Sequence, residues 1–62
     1  MEQLSIREKN RIISAVSCRK TPEEAGLSKP AELAYYRELW QEAQSLYARG
    51  GVWPVFKLYE LD

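Results

Sequence analysis

The segment from Ala31 to Arg49 constrains the fold of this chain most strongly. It contains nineteen residues without glycine or proline, the two residues that most often interrupt a helix. Pro30 suits the first helical turn, and Gly50 is expected to supply the left-handed residue that ends many helices. We therefore predict a helix over about residues 30–49. Its apolar side chains recur at steps of three and four and indicate one buried face; they are Leu33, Tyr36, Leu39, Trp40, Ala43, Leu46 and Tyr47.

Two further start signals precede this helix. Ser5 followed by Glu8 has the spacing of a capping box, and we predict a first helix over about residues 5–19. Its apolar stripe is expected to contain Ile6, Ile13 and Val16, with Ile12 and Ala15 beside them. The run from Thr21 to Glu24 combines a cap hydroxyl, a proline and an acid, but Gly26 follows at once. It predicts a short linking helix over about residues 22–25.

The tail from Gly51 to Asp62 has no single interpretation. Its composition favours a strand, but a lone strand has no partner in a helical chain, and a short helix from Pro54 is the other regular reading. We expect the tail to fold back, with Trp53 and Phe56 packed against Tyr36, Trp40 and Tyr47. The open alternative is that it pairs with another molecule.

These elements define an all-α, single-domain fold: a small bundle of two main helices, a short linking helix and a folded-back tail. The chain has 62 residues, one cysteine and no histidine, so it forms no internal disulfide and lacks the usual ligands of a zinc site. We expect no cofactor.

A single cysteine without a leader pattern indicates a cytoplasmic protein, and the absence of a long apolar run argues against a membrane span.

Catalytic chemistry is not expected. Cys18 is the one candidate nucleophile, and the chain has no histidine to serve as its base. Cysteine is among the most buried residue types, so we interpret Cys18 as a buried structural thiol. A chain of this length also encloses no obvious cleft, and we expect neither an enzyme nor a small-molecule binder.

The charge is balanced overall, with nine basic and nine acidic residues, but it is unevenly distributed. Five basic residues lie in the first predicted helix and just after it: Arg7, Lys9, Arg11, Arg19 and Lys20. A solvated helix face is the simplest interpretation. The alternative is a minimal helical DNA-binding regulator in which these five residues contact phosphates.

The same region contains a recognisable pattern, carried by Leu4, Ser5, Arg7, Glu8, Ile12, Val16 and the run from Thr21 to Ala25. It resembles the opening of LuxR-type helix-turn-helix domains, whose first helix begins with Leu-Thr-x-Arg-Glu. The resemblance implies the first helix of a DNA-binding domain, but it ends at Gly26, where the family's second helix would continue. The next predicted helix carries Glu32, Glu38 and Glu42, whereas a major-groove helix usually presents Arg, Lys, Asn or Gln. No residue role is carried over.

Aromatic residues give the main indication of function. Six of the seven lie between positions 35 and 56, and Tyr and Trp are enriched at protein-binding hot spots. The long helix has a wider apolar arc than one short helix covers, so part of it is expected to contact another chain. The predicted partner-binding residues are Tyr35, Leu39, Leu46, Trp53 and Phe56. We expect a small regulatory or accessory protein of bacterial or phage type, binding itself as a homodimer or a larger protein.

Overall fold

The computed structural model describes residues 4–60 and contains two α-helices in that range. They are α1 (Ile6–Ser17) and α2 (Pro30–Gly50), and they pack against each other. The described residues contain no strand. The predicted all-helical class and the two main helices are therefore confirmed.

The start of α1 is the predicted capping box. The Glu8 amide donates to the Ser5 hydroxyl at 3.1 Å, and the Ser5 amide donates to the Glu8 carboxylate at 2.9 Å. These two bonds, and then the Lys29 ammonium 3.3 Å away, lower the pKa of Glu8. Two amides that the helix itself leaves without partners are thus satisfied locally.

The end of α1 comes two residues before the predicted boundary. Arg19 has φ 59° and lies in the left-handed region, and the helix cannot continue through it. The Lys20 amide donates to the Ala15 carbonyl at 2.8 Å and the Arg19 amide to the Val16 carbonyl at 3.1 Å, the two bonds of a Schellman motif. An arginine at this position costs about 1–3 kcal/mol of backbone strain, so other contacts must hold it there.

A single hydrogen-bonded turn connects the two helices. Thr21 and Glu24 exchange two bonds of 3.1 Å, which lower the pKa of Glu24, and the Ala25 amide donates to the Thr21 carbonyl. Gly26 then adopts φ 75°, and the turn ends. The start signal is present, but the structure does not confirm a separate helix at 22–25.

The ends of α2 follow from local chemistry. Glu32 is buried at 4% exposure, and its carboxylate accepts bonds from the Lys29 amide at 3.2 Å and the Ser28 amide at 3.4 Å. At the other end Gly51, not Gly50, is left-handed, with φ 73°, and its amide donates to the Tyr47 carbonyl at 2.7 Å. The helix therefore extends one residue past its predicted end.

The core lies between α1, α2 and the connecting turn. Ile12 and Val16 are fully buried; they cluster with Ala15, Leu27, Tyr36 and Ala43. Of the predicted apolar face of α2, Leu46 and Tyr47 remain exposed. The buried face is therefore concentrated in the first two thirds of α2.

Candidate protein-binding surface

The tail is attached to α1 by hydrogen bonds at three points. The Trp53 indole Nε1 donates to the Val16 carbonyl at 2.8 Å, and the Phe56 amide donates to the Ser17 hydroxyl at 3.0 Å. Farther along, the Asn10 side-chain amide both accepts from the Tyr59 amide at 2.8 Å and donates to the Tyr59 carbonyl at 3.0 Å. Two of these three attachments hold backbone groups of the tail.

The spacing of these attachments shows an extended tail that runs opposite to α1. Ser17 and Asn10 are seven helical residues apart, which is about 10.5 Å. The tail covers that distance between Phe56 and Tyr59, and three extended residues span about 10 Å. Exposure along the tail repeats every three residues: Trp53 and Phe56 are half-buried, whereas Val52, Val55 and Leu58 are exposed.

An aromatic cluster fixes the start of the tail on α2. Trp53 has its ring centroid 4.9 Å from that of Trp40 and 6.0 Å from that of Tyr47, and both pairs are tilted. The Arg19 guanidinium lies 4.3 Å from the Trp53 ring centroid and 5.0 Å from that of Tyr47. These cation–π contacts explain what holds the left-handed Arg19 in place.

The five predicted partner-binding residues do not share one exposed face. Tyr35, Leu39, Trp53 and Phe56 are half-buried and pack against the core, whereas Leu46 is exposed. Burial raises the pKa of Tyr35, and a hydrogen bond with Tyr59 raises it further. The tail thus covers part of the apolar side of α2 that we expected to contact another chain.

Another set of apolar side chains is exposed instead. Among the described residues, every exposed large apolar side chain except Ile6 lies between positions 46 and 59. We name this set the C-terminal apolar surface; it consists of Leu46, Tyr47, Val52, Val55, Leu58 and Tyr59. Of these six residues only Leu46 was predicted to bind a partner, and the other five were missed. The available signal was the three-residue spacing of Trp53 and Phe56, which Val52, Val55 and Leu58 share one position earlier or two positions later.

The five basic residues are separated by the fold. Arg11 and Lys20 line a polar pocket of about 310 Å³ together with Ser14 and Glu24. The Lys9 ammonium lies 5.6 Å from the ring centroid of Tyr59 on the tail side. Arg19 stacks in the aromatic cluster, and Arg7 is exposed. The structure therefore brings together only Arg11 and Lys20 around one pocket.

The interpretation of Cys18 as a buried thiol is wrong. Its side chain is exposed, because Cys18 is the C-cap residue of α1 and lies past the last turn that packs on α2. Cysteine's average preference for burial gave no information about this position. The thiol is accessible from solvent.

The described residues define a two-helix protein with an extended tail bound along α1. Within residues 4–60 no group of three or more potential ligands is placed to hold a metal ion, and no helix has the length and hydropathy to cross a membrane. Comparison with known families, curated proteins and solved structures gives no significant match to this chain. The local resemblance to LuxR-type domains is therefore without support from a family match.

Proposed function

We propose that this chain is a small cytoplasmic accessory or regulatory protein that acts by binding protein, either a second copy of itself or a larger partner. The C-terminal apolar surface is the contact region. The observation that carries the proposal is the concentration of exposed apolar side chains there: Val55 is 83% exposed and Val52 74%. Exposed apolar side chains concentrated in one segment of a small protein favour an interaction site over chance exposure.

The attachment of the tail supports this assignment. Asn10 and Ser17 bind backbone groups of the tail, and Trp53 anchors its start. These contacts hold the segment in an extended path through its backbone groups and the Trp53 indole. A segment held in its binding conformation loses little conformational entropy when a partner binds.

The test uses charged substitutions on the exposed side chains. Val55→Asp should leave the fold intact, because surface substitutions change stability by only about 0.5 kcal/mol, and it should abolish association. Ile6→Asp is the matched control, since Ile6 is also apolar and exposed, at 42%, but lies outside the surface. Tyr35→Glu would be a poor probe because Tyr35 packs against the core.

Sedimentation velocity at high micromolar concentration tests the homodimer, and crosslinked capture from host extract compares the partners of the two variants. The proposal is supported if the Val55→Asp variant loses the dimer, or loses the captured partner, while the Ile6→Asp variant keeps it. Equal behaviour of both variants contradicts it. A shift of duplex DNA that weakens steeply with salt would favour the DNA-binding alternative instead.

A further inference from the structure

A groove lies on the flank of α2 that faces away from Tyr35, Leu39 and Leu46. It has a volume of about 190 Å³ and is lined by Pro22, Leu33, Tyr36, Arg37 and Trp40. Residues 33, 37 and 40 follow one another at helical steps of four and three, and position 35 is about 200° from position 37 around the helix. The groove therefore faces away from Leu46, whereas Tyr47, seven residues after Trp40, lies farther along the same flank of α2.

Aromatic and aliphatic side chains form its walls. The rings of Tyr36 and Trp40 stack with centroids 5.6 Å apart and planes 18° apart. Leu33 lies beside them, and Pro22 closes the groove from the connecting turn. An apolar space of about 150 Å³ accommodates a benzene ring, so this groove accommodates an aliphatic or aromatic side chain of leucine or phenylalanine size.

Within residues 4–60, Arg37 is the one charged side chain that lines the groove. It is exposed and makes no hydrogen bond or ion pair with another described residue. A bound carboxylate is therefore attracted to Arg37.

We propose that this groove binds an apolar side chain of a partner protein whose neighbouring residue carries a carboxylate, with that carboxylate paired to Arg37. A guanidinium presents a planar pair of donors that matches a carboxylate. The Tyr36 hydroxyl donates to the Lys20 carbonyl, so Arg37 is the group in the groove that selects the charge of the ligand. This site goes beyond the proposed function, and its test does not depend on the C-terminal apolar surface.

The experiment is an NMR titration of the full ¹⁵N-labelled chain with two capped dipeptides, N-acetyl-Phe-Asp-amide and N-acetyl-Phe-Asn-amide. The two indole N–H signals provide an internal comparison, because Trp40 lines the groove whereas the Trp53 indole is bonded to the Val16 carbonyl. The Asp peptide should shift the Trp40 indole signal, and it should shift the Trp53 indole signal less. The Asn peptide should bind about three- to tenfold more weakly, as expected for loss of a partly solvated ion pair.

Variants then identify the charged group. Arg37→Gln should remove the preference for the Asp peptide, and Arg37→Glu should shift it to N-acetyl-Phe-Lys-amide. Arg49→Gln is the control, because Arg49 is exposed on α2 but does not line the groove. Retention of the Asp preference in Arg37→Gln would overturn the assignment.

Three further outcomes would also overturn it. Equal affinity for 3-phenylpropionate and the Asp dipeptide would indicate a small-molecule site rather than a peptide site. Movement of the Trp40 signal with protein concentration alone would indicate that a second copy of this chain occupies the groove. Absence of any Trp40 shift with the peptides would show that the groove binds neither.

Discussion

Replacement of Trp53 tests whether the tail is part of the fold. Truncation of a core tryptophan to alanine costs about 3–5 kcal/mol, and Trp53 is half-buried, so its packing accounts for roughly 2 kcal/mol. Its bond to the Val16 carbonyl adds about 1 kcal/mol. Trp53→Ala should therefore lower the free energy of unfolding by about 2–3 kcal/mol. The whole free energy of unfolding of a 62-residue domain is only about 3–9 kcal/mol.

Thermal unfolding followed by circular dichroism measures this loss. Each kcal/mol shifts Tm by about 4–8 °C in a domain of this size, so Trp53→Ala should unfold roughly 10–20 °C below the wild type. Trp53→Phe keeps a ring against Trp40 and Tyr47 but loses the indole donor, and it should unfold about 4–8 °C below the wild type.

Val55→Ala is the matched control in the same segment. Val55 is 83% exposed, so this substitution should change stability by no more than about 0.5 kcal/mol. A Tm for Trp53→Ala within about 2 °C of the Val55→Ala value would refute the reasoning. It would show that the tail leaves α1 in solution and that Trp53 is not part of the packed structure.

The remaining predictions concern the caps and the thiol. Ser5→Ala and Thr21→Ala should each lower the free energy of unfolding by about 0.5–2 kcal/mol, seen as lower urea midpoints, and an unchanged midpoint would show that the hydroxyl does not cap its turn. Glu8 and Glu24 have pKa values lowered in the folded chain from 4.5, so their stabilisation is present above that pH and is lost as the pH falls through the lowered values. The urea midpoint should drop on acidification, and a Glu8→Gln, Glu24→Gln variant should show a smaller drop; identical acid profiles would contradict this assignment. Cys18 should react with a thiol reagent in the native protein nearly as fast as in denaturant, and slow native labelling would show that the thiol is covered.

The helices were predictable because their signals are local. The capping box of Ser5 and Glu8 is complete within four residues, and the long segment before Gly50 contains no helix breaker. The end of α1 was not predictable in the same way. A left-handed Arg19 is unfavourable by itself, and the contacts that hold it come from Tyr47 and Trp53, which are distant in the sequence.

The path of the tail could not be predicted either, because it also depends on residues distant in the sequence. Fold-back was expected from the aromatic residues alone, with the long helix as the contact. Trp53 does pack against Trp40 and Tyr47 of α2, but the hydrogen bonds of the tail go to α1, at Asn10, Val16 and Ser17. Polar residues on a helix give the same sequence pattern whether they face solvent or bind a backbone segment, so Asn10 and Ser17 carried no distinguishing signal.

The groove beside Arg37 depends on contacts between distant parts of the chain. Leu33, Arg37 and Trp40 have the spacing of one helix flank, but only the folded turn brings Pro22 to that flank. The sequence therefore indicates an amphipathic edge and gives no information about a concave site there.

Different residues of the tail attach it to α1 and form its exposed side. Trp53, Phe56 and Tyr59 make the contacts that attach the tail, and the latter two attach through backbone groups. Val52 and Val55 make no comparable contact and remain largely exposed. Substitutions at the two valines change the exposed side chains with little effect on stability. Loss of Trp53, in contrast, removes a large part of the small free energy of unfolding. Within residues 52–59, therefore, Trp53, Phe56 and Tyr59 stabilise the fold, whereas Val52 and Val55 can change without loss of stability.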